Sequence, residues 1–274
     1  MKNRYTLGGM RRPIVATTIA ALLMTVSACS TAKVDAAPAA AKGSAITTVE
    51  SGKFTCAMSG EYRPFNFYDA SNKLVGFDVD ICAAVANKLS LEPSPVTGAF
   101  NTLIAGLTSK RYDAIVGSMA VTPERQTQVD FSDPYYKTGA QLFVGANSKI
   151  TSSTDLKDAT VGVALGTTFE TFARKLAGVS QVKTYQADID ALRDLEAGRL
   201  DAVITQGFMG KFLAKTAGLK VFAVGDVLYP DVAAIPVNKD NPKLLTAVNA
   251  ALKTIHDDGT YSKISMKWFG ENIG

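Results

Sequence analysis

The sequence has very few side chains that bind metals or form Cys–His catalytic pairs. It holds one histidine and three cysteines in 274 residues, with no Cys-x-x-Cys pair. The histidine, His256, stands beside Asp257 and Asp258 near the end of a predicted C-terminal helix, where we expect it to face solvent. Zinc sites and cysteine-based catalytic sites both need several such groups close together. We therefore expect no metal and no cofactor.

The sequence also lacks a sustained excess of charge. Its formal net charge of +4 comes from four cations in a first segment that has no acidic residue. Of the 29 basic residues, 25 remain outside this segment, against 25 acidic residues, so no basic surface for nucleic acid is indicated. The four cations are Lys2, Arg4, Arg11 and Arg12.

One apolar run, from Ile14 to Val26, follows this cationic start. It has the length of a signal-peptide core and falls short of the ~20 residues needed to span a bilayer. It ends in Val26-Ser27-Ala28-Cys29, which resembles the lipobox of bacterial lipoproteins, whose cysteine is lipidated and becomes the new N-terminus. An ordinary cleavage site with a chance cysteine is the alternative.

Residues 1–28 are thus predicted to be a lipoprotein signal peptide, and residues 29–46 a flexible tether after lipidated Cys29. The tether is rich in Ala, holds one Pro and has no apolar periodicity. No later stretch is apolar enough to span a membrane. We expect an extracytoplasmic body held at the cell membrane only by its lipid anchor, at a cell surface or in a periplasm.

The two remaining cysteines, Cys56 and Cys82, fall in a predicted strand and in a predicted helix that packs on it. An exported compartment permits a disulfide. The pattern is compatible with a bridge or with two buried thiols, and we favour buried thiols.

Short apolar runs typical of strands alternate with amphipathic helical runs from residue 53 onward. Lys53–Met58 and Asp113–Val116 are predicted strands, Asp78–Leu89 is a predicted helix, and another helix begins at Thr102. This alternation indicates an α/β fold, with parallel sheets covered by helices on both faces.

A weak internal repeat favours two similarly built lobes. Five residues recur 88 positions later, and both copies predict a helix, a tight turn and an apolar strand. The pairs are Ile104 and Leu192, Leu107 and Leu195, Arg111 and Arg199, Asp113 and Asp201, and Ala114 and Ala202.

Ligands of open parallel sheets bind beyond the carboxyl ends of the strands. Three loops follow predicted strands in this way, at residues 117–122, 166–168 and 205–207. We therefore expect these loops, contributed by two lobes, to face one cleft.

Thr122 and Pro123 predict a helix start, as N-cap and first helical residue. Arg125 departs from this pattern, because a cation in the first turn opposes the helix dipole by about 0.3–1 kcal/mol. A bound carboxylate would compensate, since a guanidinium offers two parallel donors. A salt bridge to Asp130 or Asp133 is the alternative.

A second helix start follows the predicted strand Thr160–Leu165. Thr167 and Glu170 have the spacing of a capping box, and we expect Glu170 to be the cap partner. Gly166 would let an anion approach the free N–H groups here, including that of Thr168. A well-capped helix without a ligand is the alternative.

Two aromatic residues, Tyr62 and Phe100, stand beside predicted turns. Most such rings belong to the core. At a cleft they could instead pack on either side of a flat or aliphatic ligand group.

From Phe54 to the C-terminus, the sequence resembles the polar amino-acid-binding proteins of bacterial ABC importers, which have the type II periplasmic binding fold. Eight short stretches carry the resemblance, and their common order is more specific than any one of them. They are Tyr62-Arg63-Pro64-Phe65, Gly76-Phe77-Asp78-Val79-Asp80, Arg111-Tyr112-Asp113-Ala114, Thr122-Pro123-Glu124-Arg125, Asp130-Phe131-Ser132-Asp133-Pro134-Tyr135-Tyr136, Gly166-Thr167-Thr168, Gly198-Arg199-Leu200-Asp201-Ala202 and Asp258-Gly259-Thr260-Tyr261.

The resemblance implies two doubly wound lobes joined by a two-strand hinge. Residues 47–138 and 236–274 would form the first lobe, and residues 139–235 the second. It also implies a monomer without enzymatic activity. Such a protein captures an amino acid or similar small carboxylate between the lobes and delivers it to an ABC transporter permease.

The resemblance further implies the roles of single residues. Arg125 would clamp the carboxylate of the ligand, assisted by the backbone at Ser118 and by the turn at residues 166–168. Tyr62 and Phe100 would pack on the ligand side chain. The implied ligand-binding residues are Tyr62, Phe100, Gly117, Ser118, Ala120, Arg125, Thr167, Thr168 and Gln206.

Three positions depart from the family pattern. Gln206 stands where members usually have an Asp that pairs the ligand ammonium, Ala120 where many have Ser or Thr, and Ser59 where several have an acid. The oxygen of Gln206 would accept a bond without a charge, which weakens ammonium capture about tenfold. Either another group compensates, such as Glu61, or the ligand nitrogen is substituted or absent. A pocket with fewer acids also disfavours strongly cationic ligands.

Two other functions compete with transport. A dehydratase or lyase on the same fold needs a general acid or base in the cleft, where Gln206 does not titrate and no histidine is expected. A ligand-sensing partner of a receptor is the other. We expect such a sensor to act through a second protein, because no transmembrane or output region follows the signal peptide.

Overall fold

The computed structural model describes residues 46–274. The predicted signal peptide, the lipidated Cys29 and the tether up to residue 45 lie outside the described residues. Within residues 46–274, no helix combines the length and the apolar character needed to cross a membrane.

Short strands and helices alternate along the described chain. The strands are β1 (Lys53–Met58), β2 (Glu61–Tyr62), β3 (Asn66–Tyr68), β4 (Leu74–Val75), β5 (Glu92–Thr97), β6 (Ala114–Ile115), β7 (Met119–Ala120), β8 (Asp130–Phe131), β9 (Tyr136–Gly145), β10 (Ala159–Ala164), β11 (Val179–Tyr185), β12 (Ala202–Gln206), β13 (Val221–Ala234) and β14 (Pro236–Val237). The α-helices are α1 (Phe77–Lys88), α2 (Leu103–Thr108), α3 (Pro123–Gln126), α4 (Thr168–Ala173), α5 (Asp188–Glu196), α6 (Gly207–Ala217), α7 (Pro242–Asp257) and α8 (Thr260–Phe269). Short 3₁₀ helices span Phe100–Thr102 and Ser153–Asp155.

The first sheet has five strands in the order β5-β1-β6-β14-β8. β1 pairs in parallel with β5 and β6, whereas β14 is antiparallel to β6 and β8. Helix α1 packs on β1 and on α7 and α8. Its apolar residues Phe77, Ile81 and Val85 are buried in the same core as Phe54 and Leu252. β2, β3 and β4 form a separate small antiparallel sheet.

The second sheet has six strands in the order β11-β10-β12-β9-β13-β7. β10 is parallel to β11 and β12, and β9 is antiparallel to β12 and β13. Leu142, Val161, Ile204 and Phe169 are buried together in one of its cores. The predicted parallel strands are thus confirmed in both sheets.

The local predictions agree closely with the observed elements. The strand predicted at Lys53–Met58 has these bounds, and the helix predicted from Asp78 begins one residue earlier, at Phe77. Gly76 ends the preceding turn with φ 137°, and a Cβ there would lie 2.1 Å from the carbonyl oxygen of Phe65. Only glycine fits this close approach.

The internal repeat is confirmed as a repeated turn. Asp113 donates its backbone N–H to the Thr55 carbonyl at 2.8 Å, and its carboxylate accepts from the Thr55 N–H at 2.7 Å. Asp201 makes the same two bonds to Thr160, at 3.0 and 2.7 Å. In each copy, one Asp joins the start of a strand to the neighbouring strand.

The chain passes between the two sheets at four places, because β7 of the second sheet lies between β6 and β8 of the first along the chain. The other two crossings lead into or out of the long strands β9 and β13. β8 of the first sheet leads into β9 of the second, and β13 of the second leads into β14 of the first. β9 and β13 pair with each other over most of their length, and β7 adds to the edge of this pair. The predicted hinge lies at these crossings, and the lobe boundaries at 138 and 235 stay a prediction.

The expectation of two buried thiols is wrong. Cys56 and Cys82 form a disulfide, with Cα atoms 6.4 Å apart, inside the range that such a bond spans. Both residues are fully buried where α1 packs on β1. Because the helix lies directly on the strand, the two side chains meet.

Candidate ligand-binding site

A cavity lies beyond the carboxyl ends of strands from both sheets. The three loops expected to face one cleft all contribute to its wall. All nine residues implied by the resemblance line it, although their role in binding stays a prediction. They are Tyr62, Phe100, Gly117, Ser118, Ala120, Arg125, Thr167, Thr168 and Gln206.

Arg125 is held in this wall by hydrogen bonds to carbonyl groups. Thr122 caps α3 by accepting from the Arg125 N–H at 3.1 Å, as predicted. The guanidinium donates from Nη1 to the Ala120 carbonyl at 2.7 Å and from Nη2 to the Gly166 carbonyl at 2.9 Å. A guanidinium has five N–H donors, so three remain for a ligand.

The alternative salt bridge of Arg125 to Asp130 or Asp133 is wrong. Arg125 forms no ion pair with any residue of the described chain. Burial lowers the pKa of its guanidinium, while the nearby carboxylates of Asp231 and Glu124 act in the opposite direction. The cavity therefore contains a cation whose carboxylate partner is not supplied by α3 or the loop after it.

The two predicted aromatic residues are half-buried rings in the cavity wall. Phe100 faces the guanidinium of Arg125, whose Cζ lies 5.7 Å from the ring centroid. Tyr62 stacks on Phe65 with ring centroids 5.0 Å apart, and burial raises its pKa well above the usual value. Phe100 thus lies beside the cation, whereas Tyr62 packs on a ring of the core.

Two side-chain hydrogen bonds cap the start of α4 at residues 166–168. Thr167 accepts from the Glu170 N–H at 3.3 Å, but Glu170 Oε2 accepts from the Gly166 N–H at 2.8 Å and not from Thr167. The predicted capping box therefore differs in one bond: the Glu170 carboxylate accepts from the N–H of Gly166, one residue before the N-cap Thr167. Glu170 also pairs with Arg174 and does not line the cavity, which agrees with its predicted role as cap partner.

A buried carboxylate fixes the loop that contains Ser118. Ser118 has φ 56°, a conformation that few residues other than glycine adopt. Its N–H donates to Tyr135 Oη at 2.8 Å and its hydroxyl to Asp78 Oδ2 at 2.9 Å, while Tyr135 Oη donates to Asp78 Oδ1 at 2.7 Å. Asn66 donates to the same carboxylate at 2.7 Å. These bonds hold Ser118 at the cavity.

Gly117 permits the close packing beside this loop. A Cβ at this position would come within 3.2 Å of the Met58 Cα on the neighbouring strand. Ala120 forms a bridge with Ala233 on β13 and brings no hydroxyl to the cavity.

The Gln206 oxygen already has a partner in the protein, and the expectation that it accepts from a ligand stays a prediction. Gln206 is the N-cap of α6, and its Oε1 accepts from the Met209 N–H at 3.0 Å. The amide nitrogen bonds to no residue of the described chain. Because β12 ends where α6 begins, Gln206 both lines the cavity and caps the helix.

The cavity contains acids other than those that Gln206 and Ser59 replace. Three carboxylates line the cavity, those of Glu61, Asp188 and Asp231. Burial raises the pKa of Asp188 to about 6, although the hydrogen bond from Thr205 Oγ1, at 2.6 Å, acts to lower it. Burial also raises the pKa of Asp231.

Sequence reasoning missed Asp188 and Asp231 for different reasons. Asp188 begins α5 and has the position of an ordinary acid in a first turn. Asp231 lies within the long strand β13, where it pairs with Thr138 of β9. A carboxylate inside an otherwise apolar run was a usable signal, but only the pairing of β9 with β13 brings Asp231 to the cavity.

Three open grooves share lining residues with the cavity. The first shares Arg125, Thr167 and Thr168, the second shares Glu61 and Gln186, and the third shares Tyr136, Thr138 and Gln206. The guanidinium and the exposed carboxylate of Glu61 therefore stand toward different openings. The hydroxyl of Tyr229, a residue that lines the first groove, is buried without a hydrogen-bond partner.

Comparisons with known proteins agree on one family. Residues 54–271 match the model described as bacterial extracellular solute-binding proteins, family 3. The L-cystine-binding protein TcyJ of Escherichia coli (strain K12) is 33% identical over 226 residues, which cover 82% of this chain and 85% of the relative.

Two solved structures share the fold. An ancestral arginine-binding protein bound to glutamine is 38% identical with a TM-score of 0.77, over 81% of this chain and 100% of the other. The ancestral amino acid-binding protein AncCDT-1, a precursor of cyclohexadienyl dehydratase, is 34% identical with a TM-score of 0.74, over 80% and 96%. The predicted type II periplasmic binding fold is therefore confirmed.

Proposed function

Because the chain belongs to family 3 of the bacterial extracellular solute-binding proteins, we propose that it captures an amino acid or a related small carboxylate for an ABC transporter permease. One observation carries the proposal: Arg125 lines a cavity formed by both sheets, and its guanidinium uses only two of its five N–H donors in bonds to the described residues. A guanidinium without a protein carboxylate is a ready partner for a carboxylate of a solute.

The surroundings of Arg125 support this binding mode. Its two bonds to carbonyl groups fix the plane of the guanidinium, so that little side-chain freedom is lost when a ligand binds. Half-burial reduces the screening of its charge by water. Phe100 covers one side of the same site with an apolar ring.

The acids of the cavity favour a solute that also carries positive charge. Three carboxylates and one guanidinium line the wall, and a solute with only negative charge would be repelled by the carboxylates. An amino acid brings an ammonium group together with its carboxylate. The relatives named above bind cystine, arginine or glutamine, which agrees with this class.

The two crossing strands support a hinge between two lobes, residues 47–138 with 236–274 and residues 139–235. The ligand would contact Arg125 from one lobe and Gln206 from the other, and its contacts with both would favour the closed form. The closed protein would then dock on its permease as a monomer.

The N-terminal segment supports an extracytoplasmic location. In this proposal residues 1–28 direct export, Cys29 carries the lipid, and the tether leaves the binding domain free to reach the permease. Labelling of the protein with a radioactive fatty acid, and its loss in Cys29→Ala, tests the anchor.

A dehydratase-type enzyme is the second candidate. One structural neighbour is a precursor of cyclohexadienyl dehydratase, and Asp188, with a pKa of about 6, is a titratable group in the cavity wall. Turnover of a cyclohexadienyl substrate that is lost in Asp188→Asn would support this reading.

A thermal-shift screen tests the transport proposal. The purified protein is heated with L-cystine, L-arginine, L-glutamine, other amino acids, opines and dicarboxylates, and a bound solute raises the melting temperature as its concentration rises. We expect Arg125→Ala to lose this shift while its own melting temperature stays near that of the parent protein. Arg199→Ala, an exposed arginine outside the cavity, is the matched control. An unchanged shift in Arg125→Ala removes Arg125 from the site.

A further inference from the structure

The amide of Gln206 has a fixed orientation in the cavity wall. Its Oε1 accepts from the Met209 N–H at 3.0 Å. A backbone N–H only donates, so the atom that faces it is the amide oxygen. The side chain is 3% exposed and lines the cavity. Gln206 therefore offers the N–H donors of its Nε2 to a solute.

The free N–H donors of the Gln206 amide do not bind an ammonium group. An ammonium group has three donors and no acceptor, so it would meet the Gln206 Nε2 donor to donor. An oxygen atom of a solute fits there. If the solute is an amino acid, its nitrogen must find an acceptor elsewhere in the cavity.

Asp231 is the carboxylate that stands beside Arg125. Arg125 Nη2 donates to the Gly166 carbonyl at 2.9 Å, and Thr168 Oγ1 donates to Asp231 Oδ2 at 3.1 Å. Both charged side chains are therefore bound to the same turn of three residues. In an α-amino acid the carboxylate and the ammonium group are attached to one carbon atom, so their two partners must be neighbours.

The other two carboxylates of the cavity fit this role less well. Glu61 is exposed, and an exposed ion pair contributes little. Asp188 is 4% exposed and accepts from Thr205 Oγ1 of β12 at 2.6 Å, so it is not bound to the turn at residues 166–168 that holds Arg125 and Asp231.

We propose that Asp231 pairs the cationic nitrogen of the solute, beside the carboxylate bound to Arg125, and that Gln206 donates to an oxygen elsewhere on the same solute. This assignment rests on the proposed function. It narrows the solute class to zwitterions with a further acceptor oxygen, such as a side-chain amide, carbonyl or carboxylate.

The role of Asp231 is tested with solutes that differ only in the nitrogen. L-Glutamine is compared with glutaramate, and L-arginine with 5-guanidinopentanoate, by isothermal titration calorimetry. Asp231 accepts from the Thr168 hydroxyl and from the Val232 N–H, and Asn keeps one oxygen for these two donors. We expect Asp231→Asn to weaken binding of the amino acids about tenfold. The two analogues without the α-nitrogen should bind as they do to the parent protein.

The matched control is Asp226→Asn, an exposed acid on the same strand β13. It should bind all four solutes like the parent protein. If Asp231→Asn fails to fold, Asp231→Ala replaces it. No loss of affinity, or an equal loss for an amino acid and its analogue, overturns the role of Asp231.

The role of Gln206 is tested with Gln206→Glu. This change keeps an oxygen for the Met209 N–H and replaces the N–H donors with a second oxygen. We expect L-glutamine to bind more weakly than to the parent protein, while L-norvaline, which lacks the side-chain amide, loses less. Binding that becomes about tenfold tighter would mean that the nitrogen lies at residue 206, and would overturn the proposal.

The outcomes distinguish a failure of the residue assignment from a failure of the proposed function. If the parent protein binds these amino acids but the variants behave otherwise than expected, the division between Asp231 and Gln206 is overturned and the transport function stands. If the parent protein binds none of the four solutes, the assignment fails. If the whole thermal-shift panel also gives no shift, the proposed function fails with it.

Discussion

Two buried carboxylates at the cavity, Asp78 and Asp188, couple the protonation of single residues to the stability of the fold. Asp78 is fully buried below Ser118, and Asp188 is 4% exposed at the start of α5. Burial raises the pKa of each from 3.8 to about 6, although hydrogen bonds to each carboxylate oppose this effect. The ionised form is therefore less favourable in the folded protein than in the unfolded chain.

This ionisation predicts how stability depends on pH. Between pH ~4 and pH ~6 the folded protein binds more protons at these groups than the unfolded chain does, so the free energy of unfolding falls as pH rises through this window. Each group contributes on the order of 2–3 kcal/mol, present below the unfolded pKa and lost above pH ~6.

The variant Asp188→Asn removes the ionisation of Asp188 and leaves that of Asp78. Its amide keeps an oxygen for Thr205 and does not ionise, so we expect a smaller fall in stability between pH 4 and pH 6. It should also be more stable than the parent protein at pH 7. Urea denaturation at a series of pH values measures this, with the exposed Asp190→Asn as control. An unchanged slope would contradict the assignment of the titration to Asp188.

At the scale of elements, the packing of α1 on β1 supports the first sheet. The disulfide between Cys56 and Cys82 joins the centre of the strand to the helix across 26 positions of the chain. The apolar residues of α1 are buried in the same core as those of β1, α7 and α8. A covalent bond here restricts the unfolded chain more than it changes the packed state.

We therefore expect loss of the disulfide to lower stability without changing the fold. The double variant Cys56→Ala, Cys82→Ala should lose about 3 kcal/mol of unfolding free energy, the amount typical of a loop of this length. Urea denaturation under oxidising conditions compares it with the parent protein. Addition of a reductant should destabilise the parent protein and leave the variant unchanged, and equal effects on both would refute the prediction.

At the scale of the whole molecule, the crossings from β8 to β9 and from β13 to β14 connect the two sheets through two long strands. β9 and β13 run side by side between the crossings, and each is longer than any other strand in the described part of the chain. Arg125, which follows β7, is bonded to the Gly166 carbonyl at the end of β10. A ligand at Arg125 therefore touches segments from both sides of the cavity.

This arrangement predicts a ligand-dependent change of overall size. We expect the radius of gyration from small-angle X-ray scattering to decrease when the amino acid with the largest thermal shift is added, because its contacts with both sides favour the closed form. Arg125→Ala should show no decrease at the same concentration. An identical radius with and without the amino acid in the parent protein would contradict the hinge.

Much of the fold and part of the site were predictable from local patterns. The strand at Lys53–Met58, the N-caps at Thr122 and Thr167, and the repeated turn of Asp113 and Asp201 depend on contacts between close residues or on regular alternation. The cavity residues implied by the resemblance also come together in one place. Their positions follow from the rule that ligand sites lie beyond the ends of parallel strands.

The sequence by itself determined the balance of charge after the N-terminal segment, the alternation of strands and helices, and the arginine that lacks a partner in its own helix. Each of these depends on composition or on neighbouring residues. Only the tertiary structure decided that Cys56 meets Cys82, that the Gln206 oxygen faces Met209, and that Asp231 stands beside Arg125. The reason is physical. These contacts join segments that approach each other only when helix packing and strand pairing have brought them together, and no local periodicity records them.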